Sequence, residues 1–371
     1  VILDSNGNEP VYDDEGNGTM PRLFAGSRRV ALELSTRDWD LAFRAERETS
    51  MPIVRLRKGG GVLDQILLSR AQGAFLGHLT GSALGTLFSE GSEKAVNHKL
   101  DIASLKSAAL QGRRTLGQIG ATGELAVATA RSLIDLASDP GSLRRVYSNW
   151  VDSSPLAPDR AIEAAMKGQP LADSLSASGL ARVTSISLWA HAADPMVVAE
   201  ATRTNAALTH SSSITGDAAS VLAITLQALV EGRDASAAIE IAHSFARRSG
   251  LSPEIIEAVV ASMSPVGNSR EPGEPPNAVK ALRSALFHLA NARSFHEAVE
   301  AAIDSSPYSD VLPAIVGSVL GARFGREGIS HHLRSLVLSC RPMEGLVAHP
   351  RPPTYWATDA MAMAEALLTA R

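Results

Sequence analysis

Gly117–Ile134 reads GQIGATGELAVATARSLI. Glycines at 117, 120 and 123 make a turn, and the chain then becomes Ala-rich and apolar on a helical period. Ala, Leu and Glu are strong helix formers, so the spacing predicts a helix over Gly123–Ala137. Glu124 falls in its first turn, where a carboxylate interacts favourably with the helix dipole. The backbone N–H groups of such a turn can also meet a phosphate. Gly117, Gly120, Thr122 and Glu124 are therefore candidate ligand contacts.

The same helical period extends in both directions. Val62–Gly77 is apolar on one face through Leu63, Ile66, Leu67 and Phe75. Helices are predicted at Pro195–Leu208, Ala218–Val230, Ala235–Arg247, Pro253–Met263, Ala278–Ala290 and Phe295–Ile303. Val311–Phe324, Ser330–Leu338 and Thr358–Ala370 complete the series. Pro and Gly mark the loops, most clearly in PVGNSREPGEPPN. No fixed period emerges, which argues against a solenoid. The 371 residues are 45% hydrophobic but only 4% aromatic, so the core must be built from Ala, Leu, Val and Ile. That suits close-packed helices. The expectation is a compact all-α domain of ten or more helices over residues 62–371.

Residues 1–61 read as an appended segment. Its first 20 residues are rich in Asn, Gly and acids and lack Lys and Arg. Asp4, Asn6, Asn8 and Glu15 have calcium-loop spacing, but Glu9 stands where the sharp turn requires glycine. A flexible or hairpin-forming start is the better reading. Arg28–Leu34 and Pro52–Arg57 alternate as half-buried strands do, around a segment that begins like a capped helix at Ser35 or Thr36. Gly59–Gly61 then forms a hinge. The extension is therefore expected to have partly β character.

Net charge is −4, so no basic surface for nucleic acid is expected. A single cysteine, Cys340, excludes an intrachain disulfide and a Cys-based zinc cluster and suits a cytoplasmic protein. No apolar run approaches about 20 residues without polar interruption, so no membrane span is expected. P-loop, GxGxxG, HExxH and GxSxG motifs are missing, and no spacing singles out a Ser-His-Asp triad.

Several segments together resemble the ADP-ribosylglycohydrolases. The glycine turn and its helix are similar to that family's metal-binding turn, roughly GGxTDDTEMALALARSLI. Its Thr-Asp-Asp-Thr falls on Gly120, Ala121, Thr122 and Gly123. Arg70–Gly85, RAQGAFLGHLTGSALG, is similar to the opening helix RxxGALLGLAxGDALG, whose Asp falls on Ser82. Tyr147–Pro155 resembles the helix leading into GPFDIG, whose Asp falls on Ala157. Ser178–Val183, SGLARV, is similar to the substrate-side NGxLMRV, which makes Ser178 and Gly179 candidate ligand contacts. Ala206–His210, with Asp217 in the helix that follows, also matches. Ala314–Gly325, AIVGSVLGARFG, is close to AIAGALLGARYG. The GDxDT before it, which supplies the remaining metal ligands, here reads Pro307, Tyr308, Ser309, Asp310 and Val311. The resemblance runs from about Ser69 to the C-terminus.

The resemblance implies a paired-magnesium glycohydrolase scaffold. In the family the metals clamp the ribose of ADP-ribose and orient the attacking group. Here Asp310 alone survives as a candidate metal ligand, able to hold a weakly bound ion but not a fixed pair, and Tyr308, a candidate ligand contact, adds bulk where a carboxylate should be. No dinuclear metal site is therefore expected, and no cofactor. Glu90 and Asp310 remain as candidate acid/base groups, Glu90 being offset by one from the family's glutamate. Glu90 also reads as a solvated helix-end residue. His210, next to Thr209, either faces the pocket or packs as a hydrogen-bonded histidine closing a helix. The first functional reading is a non-catalytic binder of ADP-ribose, an ADP-ribosylated protein or an ADP-ribosyltransferase. The alternative is a re-tooled enzyme acting on an N-glycoside or other small molecule without metals. If the chain is active, it is a hydrolase of a glycosidic, ADP-ribosyl bond.

Overall fold

A computed structural model describes residues 54, 61–89, 100–112, 115–136, 140–263, 277–306 and 309–370. Its described residues form fifteen α-helices, three 3-10 turns and one isolated bridge between Ser176 and Asn277, with no strand. The fold is all-α. The possible β elements at Arg28–Leu34 and Pro52–Arg57 lie outside the described residues, apart from Val54.

In chain order the helices are α1 Gln65–Phe88, α2 Ile102–Gly112, α3 Ala121–Leu136, α4 Pro140–Asp152 and α5 Arg160–Met166. Next come α6 Val183–Trp189, α7 Pro195–Ala207, α8 Ser213–Val230, α9 Ala235–Arg248 and α10 Pro253–Ser262. The last are α11 Ala278–Asn291, α12 Phe295–Ser305, α13 Val311–Phe324, α14 His331–Ser339 and α15 Ala360–Thr369.

Two helices are apolar all round and form the middle of the molecule, as such helices must. Asp64 caps α1 by accepting from the N–H groups of Ile66 and Leu67 at 2.9 and 3.0 Å. From Ala71 to Leu87 every side of α1 is buried. α8 packs among α6, α7, α9, α11 and α13. α8 is long and apolar enough on average to cross a membrane, but Asp217 and Gln227 interrupt it and 83% of it is buried inside the fold.

α1 and α13 make the closest helix pairing. A Cβ on Gly77 would lie 2.2 Å from the Gly317 carbonyl oxygen, and one on Gly321 would lie 1.9 Å from that of Gly73. Only glycine permits backbones this close. The seam sets the end of α1 against the start of α13. A second apolar cluster, including Leu125, Leu143, Tyr147, Trp150 and Ile162, joins α3 to α4 and α5.

Candidate functional site

At the end of the glycine seam, α1, the turn before α3 and the start of α13 converge. Ser82 of α1 donates to Asp310 Oδ2 at 2.7 Å. Its oxygen accepts from the N–H groups of Gly120 and Gly123, both at 3.0 Å. Thr122 donates its N–H to Asp310 Oδ2 and its hydroxyl to Oδ1, each at 2.9 Å. Asp310 is the N-cap residue of α13, but its side chain makes no capping bond to that helix. Its carboxylate instead neutralises the N-terminus of α3, as a bound anion would. Burial pushes the Asp310 carboxyl above its usual range, against the pull of the Ser82 and Thr122 bonds.

This geometry corrects the expectation that the glycine turn offers its N–H groups to a phosphate. Those of Gly120, Thr122 and Gly123 are already engaged by Ser82 and Asp310. A Cβ on Gly120 would lie 2.1 Å from Thr86 Oγ1 and 2.6 Å from Asp310 Oδ2, so the knot has no spare room. Gly117 is pressed against the Leu336 carbonyl and also presents no open surface. Among the described residues no group of three His, Cys, Asp or Glu is placed to hold a metal. Glu90 and Tyr308 lie outside the described residues.

Glu124 does more than face the helix dipole. It is buried, and Arg351 grips it with two bonds, Nε to Oε1 at 2.7 Å and Nη2 to Oε2 at 2.9 Å. Trp150 Nε1 donates to Oε2 at 2.8 Å. Burial pushes the Glu124 carboxyl upward, and Arg351 and Trp150 pull it back. Arg351 also donates to the carbonyls of Ser153 and Ser154 at 2.5 and 3.1 Å. One guanidinium thus ties α3, the end of α4 and the C-terminal tail together. Two cavities beside this region, one lined by Thr80, Leu84 and Val337 and one by Glu124, Tyr355 and Trp356, are each about 10 Å³. Neither admits more than about one water.

A third polar cluster contains Ser178 and His210. The side chains of both are almost wholly buried. Ser178 Oγ lies 3.2 Å from His210 Nε2, and Thr209 Oγ1 lies 2.8 Å from Nδ1. A Cβ on Gly179 would meet Thr215 Cγ2 at 2.4 Å and the His210 ring at 3.3 Å, so glycine is required beneath this ring. Arg182, fully buried, donates to Asn205 Oδ1 at 2.6 Å and Thr209 Oγ1 at 2.8 Å, with its guanidinium 5.0 Å from the Tyr147 ring centre. Its Nη1 has no hydrogen-bond partner among the described residues. Burial lowers the Arg182 pKa. Burial, with Arg182 nearby, also lowers that of His210 to about 4.

His78 is a further buried histidine, one helical turn before Ser82. Its Nε2 donates to the Thr122 carbonyl at 3.4 Å and its Nδ1 accepts from Thr184 at 3.0 Å. Burial lowers its pKa to about 4. The unfolded chain, with histidine near 6.5, therefore binds the proton first. The resulting stability is complete above about pH 6.5 and is lost as pH falls toward about 4. Denaturant unfolding at a series of pH values should show His78→Gln removing about one proton from this dependence, or about 1.4 kcal/mol per pH unit within the window. An unchanged slope would contradict the buried, neutral state of His78.

Sequence reasoning missed Arg351, Trp150 and Arg182. Their partners lie far along the chain, and no local period marks them.

The ADP-ribosylglycohydrolase family model matches residues 63–370. A solved structure described as an "ADP-ribosylglycohydrolase-related protein complex" is similar at a TM-score of 0.63 and 23% identity, over 82% of this chain and 98% of that one. At that identity the likeness concerns the fold. No curated protein matches the sequence.

Proposed function

The chain belongs to the ADP-ribosylglycohydrolase family, and we propose that it is a non-catalytic member that binds ADP-ribose, an ADP-ribosylated protein or an ADP-ribosyltransferase. The observation that carries this reading is the knot of Ser82, Thr122 and Asp310. It gathers one carboxylate and two hydroxyls, all bonded to one another or to backbone N–H groups. Hard divalent cations need anionic oxygens, commonly one or two carboxylates together with water and substrate oxygens. Two magnesium ions sharing a single carboxylate would leave a large uncompensated charge. The donor set therefore does not suit a metal pair, and no catalytic step is assigned through one. Hydrogen bonds do the joining of α1, α3 and α13 that ligands to metal would otherwise do.

Calorimetric titration of ADP-ribose, with and without Mg²⁺, tests the reading. Binding that is indifferent to Mg²⁺ is expected, with no rise in thermal midpoint on adding the ion and no release of ADP-ribose from a modified protein. Magnesium-dependent binding or turnover would sink it. A protein that binds no ADP-ribose under either condition would leave only the protein-partner form of the proposal.

A further inference from the structure

Five hydrogen bonds run without a break from Arg182 to Asp159 through Thr209, His210, Ser178 and Ser176. The Asp159 end sets the order of the protons, since Thr209 also has the Ala206 carbonyl within 3.3 Å and could donate there instead. A carboxylate only accepts, so Ser176 must give its single hydroxyl proton to Asp159, at 2.7 Å. In the 3.1 Å contact between Ser176 and Ser178, Ser178 is then the donor. That spends the Ser178 proton, so His210 Nε2 must donate to Ser178 Oγ across 3.2 Å. A neutral imidazole with Nε2–H has its lone pair on Nδ1, and Thr209 must donate to it at 2.8 Å. Arg182 only donates, and it supplies the bond that Thr209 accepts at 2.8 Å. The sequence-expected ligand contacts Ser178 and His210 are thus interior links of a chain whose outer end is half-buried at Asp159 and Ser176.

We infer that Asp159 is a positioning residue that holds His210 as its Nε2–H tautomer and itself forms an outer end that only accepts hydrogen bonds. The Ser176 proton is committed to Asp159, and its oxygen accepts from the Ser178 hydroxyl and N–H at 3.1 and 3.3 Å, so Ser176 offers a ligand nothing further. A ligand group reaching this rim must therefore bring its own donor, a hydroxyl such as those of a ribose, and a phosphate oxygen is repelled. This specificity rests on the proposal that the chain binds an ADP-ribosyl ligand; the proton order does not.

The test is side-chain ¹⁵N–¹H correlation NMR of the full chain at neutral pH, on the wild type and Asp159→Asn. Asn caps a helix as well as Asp does, so the 2.8 Å bond to the Ala161 N–H that starts α5 has a replacement and the variant should fold. An amide can donate to Ser176, which lets the whole chain reverse and end on His210 Nδ1–H. Wild-type His210 is expected as the Nε2–H form, and Asp159→Asn is expected to populate the Nδ1–H form. A wild-type Nδ1–H form, or a tautomer untouched by Asp159→Asn, overturns the inference, because a purely structural Asp159 would not move it. ADP-ribose titration of the same two proteins separates the two proposals. Tautomers that behave as stated with no binding by either protein refute ADP-ribose recognition and leave the relay standing. If both bind ADP-ribose equally, the acceptor rim is wrong.

Discussion

Arg351→Ala should cost about 3–5 kcal/mol of folding stability, measured by denaturant unfolding, because it strands the buried Glu124 carboxylate. Both side chains are about 2% exposed. The loss of Arg351 leaves Glu124 with Trp150 as its remaining side-chain partner. It also releases the Ser153 and Ser154 carbonyls and the Ser153 hydroxyl, which Arg351 holds at 2.5, 3.1 and 2.8 Å. The effect should not be confined to the pair. The Arg351 carbonyl accepts from Trp356 Nε1 at 2.8 Å, and the Arg351 N–H reaches Pro342 O at 2.7 Å. The tail from Pro342 to Trp356 is organised around this one residue, so the variant should also be cleaved there faster by protease.

The pair need not add stability relative to an apolar core. Taking both ions out of water costs several kcal/mol each, and attraction plus hydrogen bonds offset it. Adding Glu124→Gln to Arg351→Ala should therefore recover part of the loss, since a neutral amide is cheaper to leave half-satisfied. A double variant that is destabilised by the full sum of the two single losses would show that the residues act independently. A single variant costing under about 1 kcal/mol would place Arg351 among surface ion pairs and contradict the geometry.

Why the fold was largely legible, and this pair was not, follows from range. The helices from α7 to α13 carry an apolar face or a Pro, Ser or Asp start, and those signals are local. Val311–Phe324 is read to the residue. The apolar period reads α1 only to Gly77, the family resemblance carries it to Gly85, and it runs to Phe88. Gly77, Gly81 and Gly85 look like breakers in one dimension, yet each is a place where α13 comes into backbone contact. α8 starts at Ser213, before the expected Ala218, because being apolar or small on all sides gives it no period to read. In the site, Ser82 is visible as a departure from the family motif and Asp310 as the one acid that survives from it. Arg351 and Glu124 are 227 residues apart, and nothing local announces a partner at that distance. The relay from Asp159 to His210 was hidden for the same reason: only folding brings Asp159, the Ser176–Ser178 turn and the Thr209–His210 pair into line.

The sign of one substitution tests the geometry that creates the knot. On an isolated helix, Gly77→Ala would stabilise by about 1 kcal/mol, because alanine has the higher helix propensity. In this fold it is expected to destabilise by about 3 kcal/mol, the upper range for overpacking. The added Cβ falls 2.2 Å from the Gly317 oxygen and 3.0 Å from its carbonyl carbon. These are backbone atoms, and a methyl group has no rotamer with which to avoid them. α1 and α13 must separate along the seam, and the 2.7 Å bond from Ser82 to Asp310 lengthens with them. Ser82→Ala should therefore cost less in the Gly77→Ala background than in the wild type, a coupling that a double-mutant cycle reads directly. Stabilisation by Gly77→Ala would mean that the helices are not in backbone contact. Additive costs would mean that the seam does not hold the knot closed.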